Sequence, residues 1–372
     1  MNKMKAIIPL VASLCLAAAV RADEILVKAN PHESTLLRWT AEDFASARPM
    51  PLPMVEEITD ATREAPASVL ETEHFASEAA EPTLPDHERF AFHQTLFEYQ
   101  TPADDPEAEV PETSDPPPKN RGSAGFHYTS SRLIPGDAVT RFPYSAVGKL
   151  FFSKTGEDHW VCSGAVIGRR LVVTAGHCVH GGPGEGWYED FVFVPAYYYG
   201  DAPFGTWEYS WVVVNTRWSH SGEVPNAADF ALLEMRDRNH RRISEVTGKL
   251  GFITDNAAPN HLHILGYPSA FDSGREMHQV TTGDYRYYRN STVIYGSDMG
   301  GGSSGGPWVQ NFNRKARGQG GGRNKARAAV VGVTSFGWHQ SAPGYRAQGA
   351  SELNQCFKII RQAACSHQAG NC

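Results

Sequence analysis

From about residue 140 onward the apolar positions fall in short runs rather than at helical spacing. Ala146–Phe152, Trp160–Ile167, Leu171–Ala175, Asp190–Pro195, Trp207–Thr216, Phe230–Met235, His261–Tyr267, Glu276–Thr282, Thr292–Tyr295 and Ala328–Phe336 are each rich in Val, Ile, Thr or aromatics. Gly, Pro, Asn and Asp punctuate them, so each run reads as a strand and the set as an all-β sandwich or barrel. The polar, charged stretch Arg236–Lys249 predicts a connection between two halves. The basic, Gly-rich stretch Asn313–Arg327 predicts a surface loop between strands. Only the end has helical spacing: Leu353, Phe357, Ile360 and Ala364 make the stripe of an amphipathic helix over 350–364.

Composition divides the chain before that region. Lys3 and Lys5 precede the apolar run Ala6–Val20 and the small-residue site Val20-Arg21-Ala22. This predicts a secretory signal peptide over 1–22, the run being shorter than the roughly 20 residues that span a bilayer. The expected location is therefore outside the cell or in the periplasm, with no membrane association after signal removal. Asp23–Pro118 carries 22 acidic and five basic residues, 13 prolines, no glycine and no cysteine. Beyond Pro118 there are 26 basic and 19 acidic residues and all 35 glycines. Asp115-Pro116-Pro117-Pro118 reads as a stiff linker across the break.

So acidic and Pro-rich a segment does not predict its own core, although Leu36–Trp39 and Phe90–Phe97 are apolar spots able to dock. Two readings stand: a removable prosegment, acting on the glycine-containing region as an intramolecular inhibitor or chaperone, or a solvated tail that stays attached. The predicted division is 23–132 for this segment and its linker and 133–372 for the folded domain. Net charges of −17 and +7 on either side of Pro118 favour association, and cleavage after Arg121 or Arg132 fits the break. No nucleic acid is expected, because one short basic loop is ordinarily just solvated.

Cys15 leaves with the signal, so Cys162, Cys178, Cys356, Cys365 and Cys372 remain, an odd number. Export makes disulfides plausible. Cys162 and Cys178 are the expected pair, closing a loop of about 16 residues worth roughly 3 kcal/mol. Metal-type spacing is absent, and the pairing of the other three is open.

Three motifs carry chemistry. Gly302-Ser303-Ser304-Gly305-Gly306-Pro307 offers a hydroxyl flanked by glycines that allow a tight turn, aiming backbone N–H groups at one point. Ser304 is the expected nucleophile, with Ser303 competing, and Gly302 and Ser304 supply the oxyanion N–H groups. Thr174-Ala175-Gly176-His177-Cys178 places His177 where a strand ends, as general base. Asp229 opens Asp229-Phe230-Ala231-Leu232-Leu233, a carboxylate just before a buried strand that holds the base in one tautomer.

In the order His, Asp, Ser, these motifs resemble the chymotrypsin/trypsin family over about Leu133–Ala364. Within it, Phe142–Leu150, Pro195–Thr206 and Tyr295–Gly301 are similar to the bacterial V8-like, glutamyl-endopeptidase-like branch. The resemblance implies two six-stranded antiparallel β-barrels, at about 140–235 and 250–350, with the three residues in the cleft between them. It implies endopeptidase action on proteins or peptides through an acyl-enzyme, without metal or cofactor. It also implies a specificity pocket at Asp298, Thr334, Ser335, Phe336 and Gly337. Two departures matter. Ser303 stands where trypsin-type zymogens place an aspartate, so the salt-bridge switch to a freed terminal amine is not expected; Thr334 stands where the V8-like branch is expected to carry a histidine, so the cleaved residue is left open. An esterase on an α/β fold would need the order Ser, Asp, His. A catalytically inactive binding relative is the other alternative, and such chains usually lose one of the three residues, all present here.

Overall fold

Runs of β-branched and aromatic residues become strands because both of their faces are covered. The computed structural model describes residues 24–55, 74–99, 126–133, 136–154, 158–288, 291–313, 315–316, 326–338 and 346–372. The predicted signal (1–22), the linker prolines, Arg121 and most of the basic Gly-rich loop lie outside the described residues.

Six strands close on themselves. Val147–Ser153 pairs with His159–Val166, which pairs with Leu171–Thr174, then Ala231–Met235, Trp207–Asn215 and Glu189–Pro195, and so back to the first. Every residue of Val147–Ser153 is buried, one face by the barrel interior and the other by what packs outside it. Phe151, Phe193, Trp207 and Trp218 are among the largest fully buried side chains, each contributing roughly 1.5–3 kcal/mol by burial.

The second sheet is a half-barrel. Its order runs Tyr285–Tyr288, Thr292–Gly296, Ala347–Glu352, Ala329–Trp338, Pro307–Gln310, Leu262–Gly266, His278–Thr282 and Tyr128–Arg132, antiparallel throughout, and its ends do not pair with each other among the described residues. The architecture is all-β and chymotrypsin-like, closed in its first barrel and more open in its second. Tyr128–Arg132 pairs along its whole length with His278–Thr282, so this strand of the second sheet lies ahead of the division predicted at 133.

The C-terminal helix spans Gln355–His367, starting later than the sequence suggests. Ala350–Glu352 still belongs to a strand, and the Asn354 side chain caps the helix by accepting from the Cys356 N–H at 2.8 Å. The predicted stripe is fully buried against the first barrel. Cys365 and Cys372 form a disulfide that ties down the chain end, while Cys356 is a half-buried free thiol.

The acidic N-terminal segment lies on this body without a sheet of its own. Ile25–Ala29 pairs with Trp211–Asn215, Arg48–Pro49 with Trp160–Val161, Met54–Val55 with Gly337–Trp338, Ala76–Ser77 with Phe252–Ile253, and Gln94–Thr95 with Asp201–Ala202. Both predicted apolar spots dock. Trp39 stacks on Phe44, both meet Phe151 edge-on, and the Trp39 indole donates to the Asp190 carbonyl at 2.9 Å; Phe92 stacks on Trp207. Ion pairs run in both senses, Lys28–Glu189 and Arg38–Asp190 beside Glu88–Arg241 and Glu81–Arg327. Burial and strand pairing, rather than net charge alone, hold the segment in place.

Candidate active site

The strand Leu171–Thr174 ends in an extended Ala175 and a single tight turn, Gly176–Cys178, that presents His177. A side chain at Gly176 would come within 2.8 Å of the Trp218 ring, so only glycine lets this turn sit against its neighbour. Cys178 is bonded to Cys162, fixing the turn to the adjacent strand. Asp229, fully buried, receives three donors. The His177 backbone N–H reaches Oδ1 at 2.8 Å, His177 Nδ1 reaches Oδ2 at 2.8 Å, and Ser335 Oγ reaches Oδ2 at 2.5 Å. With Nδ1 donating to the carboxylate, Nε2 is left as the acceptor.

The Gly302–Gly306 turn is clamped from both barrels. Gly302 and Gly305 have φ of 86° and 76°, conformations that favour glycine. A Cβ on Gly305 would collide with Thr174 Oγ1. The Ser163 N–H donates to the Ser304 carbonyl at 2.8 Å, the Ser163 hydroxyl donates to the Gly302 carbonyl at 2.9 Å, and the Gly305 N–H donates to the Thr334 carbonyl at 2.8 Å. Ser304 Oγ and His177 Nε2 are both buried polar atoms without a hydrogen-bond partner among the described residues. The two are therefore not hydrogen-bonded to each other in this structure.

The sequence profile of the trypsin family matches residues 136–360. The chain belongs to the trypsin family. Many solved structures are similar to it, the following two among them. Protease Anisep from Arthrobacter nicotinovorans is 26% identical, with 61% of this chain and 98% of that chain covered and a TM-score of 0.50. The thermostable serine protease AL20 from an extremophilic microorganism is 26% identical, with 60% and 98% covered and a TM-score of 0.51. No curated protein sequence matches.

In this trypsin-family protease the predicted pocket residues divide. Ser335 reaches Asp229, a role the sequence did not assign to it. Gly337 lies on the open edge of its strand, beside the N-terminal segment. Thr334 turns inward, its hydroxyl accepting from the Trp308 indole at 2.9 Å. Phe336 lies over Gly349, where a Cβ would collide with its ring. Asp298 is buried; burial raises its carboxyl pKa, while the Ser130 hydroxyl, Arg346 and His278 act against that rise. The sequence also missed Ser163, whose hydroxyl joins the Gly302 carbonyl to the Tyr267 N–H at 2.9 Å; it sits next to Cys162, the only hint available.

Among the described residues metal ligation has two geometric candidates. One is Cys162, His177 and Cys178, whose thiols are already joined. The other is Asp272, Glu276 and His278, where Arg132 reaches Glu276 at 2.8 Å and already supplies a positive charge.

Proposed function

We propose that this trypsin-family protease is a secreted endopeptidase in which Ser304 is the nucleophile, His177 the general base and acid, and Asp229 the residue that orients the imidazole. The observation that carries this reading is the convergence of His177 N–H, His177 Nδ1 and Ser335 Oγ on the one buried carboxylate. It fixes the imidazole in the tautomer that leaves Nε2 free to accept. Ser304 Oγ gives its proton to Nε2 and attacks the peptide carbonyl. The oxyanion is received by the N–H groups of Gly302 and Ser304, where losing one well-placed donor costs about 3 kcal/mol. His177 then hands the proton to the departing amine, and water repeats the sequence on the acyl-enzyme.

Activation proceeds by loss of the N-terminal segment rather than by a new terminal amine seeking a carboxylate. The Ser303 hydroxyl is held internally, donating to the Gly300 carbonyl at 2.7 Å and accepting from Gln348 Nε2 at 3.0 Å. Cleavage near Arg121 leaves Tyr128–Arg132 within the second sheet, whereas cleavage after Arg132 would detach that strand. N-terminal sequencing of the mature secreted protein tests this: a start between Arg121 and Phe126 is expected, and a start near Asp23 in an active enzyme overturns it. The V8-like framework does not by itself name the cleaved residue, since Thr334 is engaged by Trp308 and Asp298 is buried; peptides varied at the residue before the cut measure it.

A further inference from the structure

The cleft that holds Ser304 is occupied by this chain's own Arg48–Val55, Arg-Pro-Met-Pro-Leu-Pro-Met-Val. The Met50 N–H donates to the Val161 carbonyl at 2.9 Å, on the first barrel. The Met50 carbonyl accepts from the Gly302 N–H at 2.9 Å, the expected oxyanion donor. The Pro53 carbonyl accepts from the Gly337 N–H at 2.8 Å, in the second sheet where Ala329–Trp338 extends beyond Pro307–Gln310. Leu52 and Met54 pack against Gly337, where a Cβ would lie 2.5 Å from Met54 Sδ and 3.1 Å from Leu52 Cδ2. Arg48 pairs with Asp158 and lies over the Trp160 ring, anchoring the start of the stretch. Under this cover Ser304 has no exposed surface and His177 is 4% exposed.

We infer that Arg48–Val55 is an autoinhibitory strap that fills the cleft in the direction opposite to a substrate. This rests on the hydrolase reading of Ser304 given above. The direction follows from chemistry. The acyl half of a substrate stays on Ser304, in the second barrel, and the departing nitrogen must face His177, in the first. A cleavable chain therefore runs from the C-terminal end of Ala329–Trp338, past its pairing with Pro307–Gln310, toward His159–Val166. The strap runs the other way, parallel to Trp160–Val161 at its start and parallel to Gly337–Trp338 at its end. The nitrogen that follows the Met50 carbonyl thus points away from His177 and cannot be protonated by it.

Alternating prolines reinforce the arrangement. Pro49, Pro51 and Pro53 fix φ near the extended region and carry no N–H, so the strap keeps its carbonyls for Gly302 and Gly337 and needs few acceptors in return. Ordering it costs little, because proline has already removed much of its freedom. The strap holds the latent protease closed until the N-terminal segment is removed.

The test compares the full-length chain with its full-length Leu52→Glu/Met54→Glu variant by two readouts. One is amide hydrogen exchange at Gly302 and Gly337; the other is the rate at which a fluorophosphonate labels Ser304. Exchange at both amides and the labelling rate are each expected to rise at least tenfold in the variant. The milder Arg48→Ala is expected to shift both in the same direction by less, which separates release of the strap from misfolding. Equal exchange in all three chains overturns the strap. Faster exchange with no labelling in any chain keeps the strap and removes the hydrolase reading. A full-length Pro51→Ala chain tests the direction: the bond after Met50 is expected to stay intact, and its cleavage shows a forward-bound substrate and overturns the reversed strap.

Discussion

The catalytic body and the segment in front of it satisfy their backbone amides by opposite means. The body closes six strands into a ring and folds a second sheet beside it, and the strands of the ring pair with one another. The segment has five short strands among the described residues, and each pairs with a strand of the body, none with another of its own. Composition explains the contrast. All 35 glycines lie beyond Pro118, where tight turns and close approaches build the site, whereas 13 prolines lie in Asp23–Pro118, where they prevent a sheet from forming but suit an extended occupant of a groove. One region is folded by its own sequence and the other by what it lies on.

Physical separation of the two regions has the largest expected effect. A peptide of residues 24–99 is expected to show no cooperative unfolding and no sheet signal in far-UV circular dichroism, while a chain starting at residue 122 keeps a single cooperative transition. A cooperative transition in the peptide would show that the segment carries its own fold. Next in size is the body's internal staple. Replacing both Cys162 and Cys178 by Ala is expected to lower stability by about 3 kcal/mol in denaturant titration, in the short chain and the full chain alike. A loss seen only with the segment attached would place the staple's effect at the docking surface.

Smaller again is Ser335→Ala, which removes one of three donors to a buried carboxylate. Hydrogen bonds to charged groups contribute about 1.5–3 kcal/mol, so kcat in the segment-free form is expected to fall roughly 10- to 100-fold with KM little changed. An unchanged kcat would mean that His177 and Asp229 need no third support.

Taken per pH unit, the smallest effect is a pH slope at the seam between the two regions. Lys149 is buried and its pKa is pushed down to about 7, first by desolvation and then by Arg275. It lines a cavity of about 460 Å³ with Phe44, Phe97 and Tyr197. The unfolded chain binds this proton up to about pH 10.4 while the folded chain releases it near 7, so stability rises with pH across that window and is lost as pH falls through the folded value. The contribution is at most about 1.4 kcal/mol per pH unit. It is expected to vanish in Lys149→Met and to shrink when the segment that walls the cavity is removed; an undiminished slope in the short chain would assign the desolvation to the body alone.

The sequence made the strands legible wherever Val, Ile and aromatics clustered, and all ten predicted runs lie within a few residues of observed strands. It did not reveal Pro307–Gln310, a four-residue strand that opens on proline, or Ala347–Glu352, where Ala, Gln, Gly and Ser become strand only through the neighbours they pair with. The three motif residues were readable because tight local constraints mark them: a glycine-bounded turn, a histidine pinned by a disulfide, a carboxylate before a buried strand. Ser335 was assigned to the pocket instead, since its bond to Asp229 spans 106 positions and leaves no local trace. The stretch Pro49–Pro53 carries no mark of its own in the sequence for the same reason: its partners, Val161, Gly302 and Gly337, belong to both barrels.

The role of Ser304 as nucleophile is tested most directly by the site of covalent labelling in the segment-free protein. Fluorophosphonate treatment followed by peptide mass mapping is expected to give one adduct, on Ser304, abolished by His177→Ala along with turnover. No adduct, or an adduct on Ser303, would contradict that role.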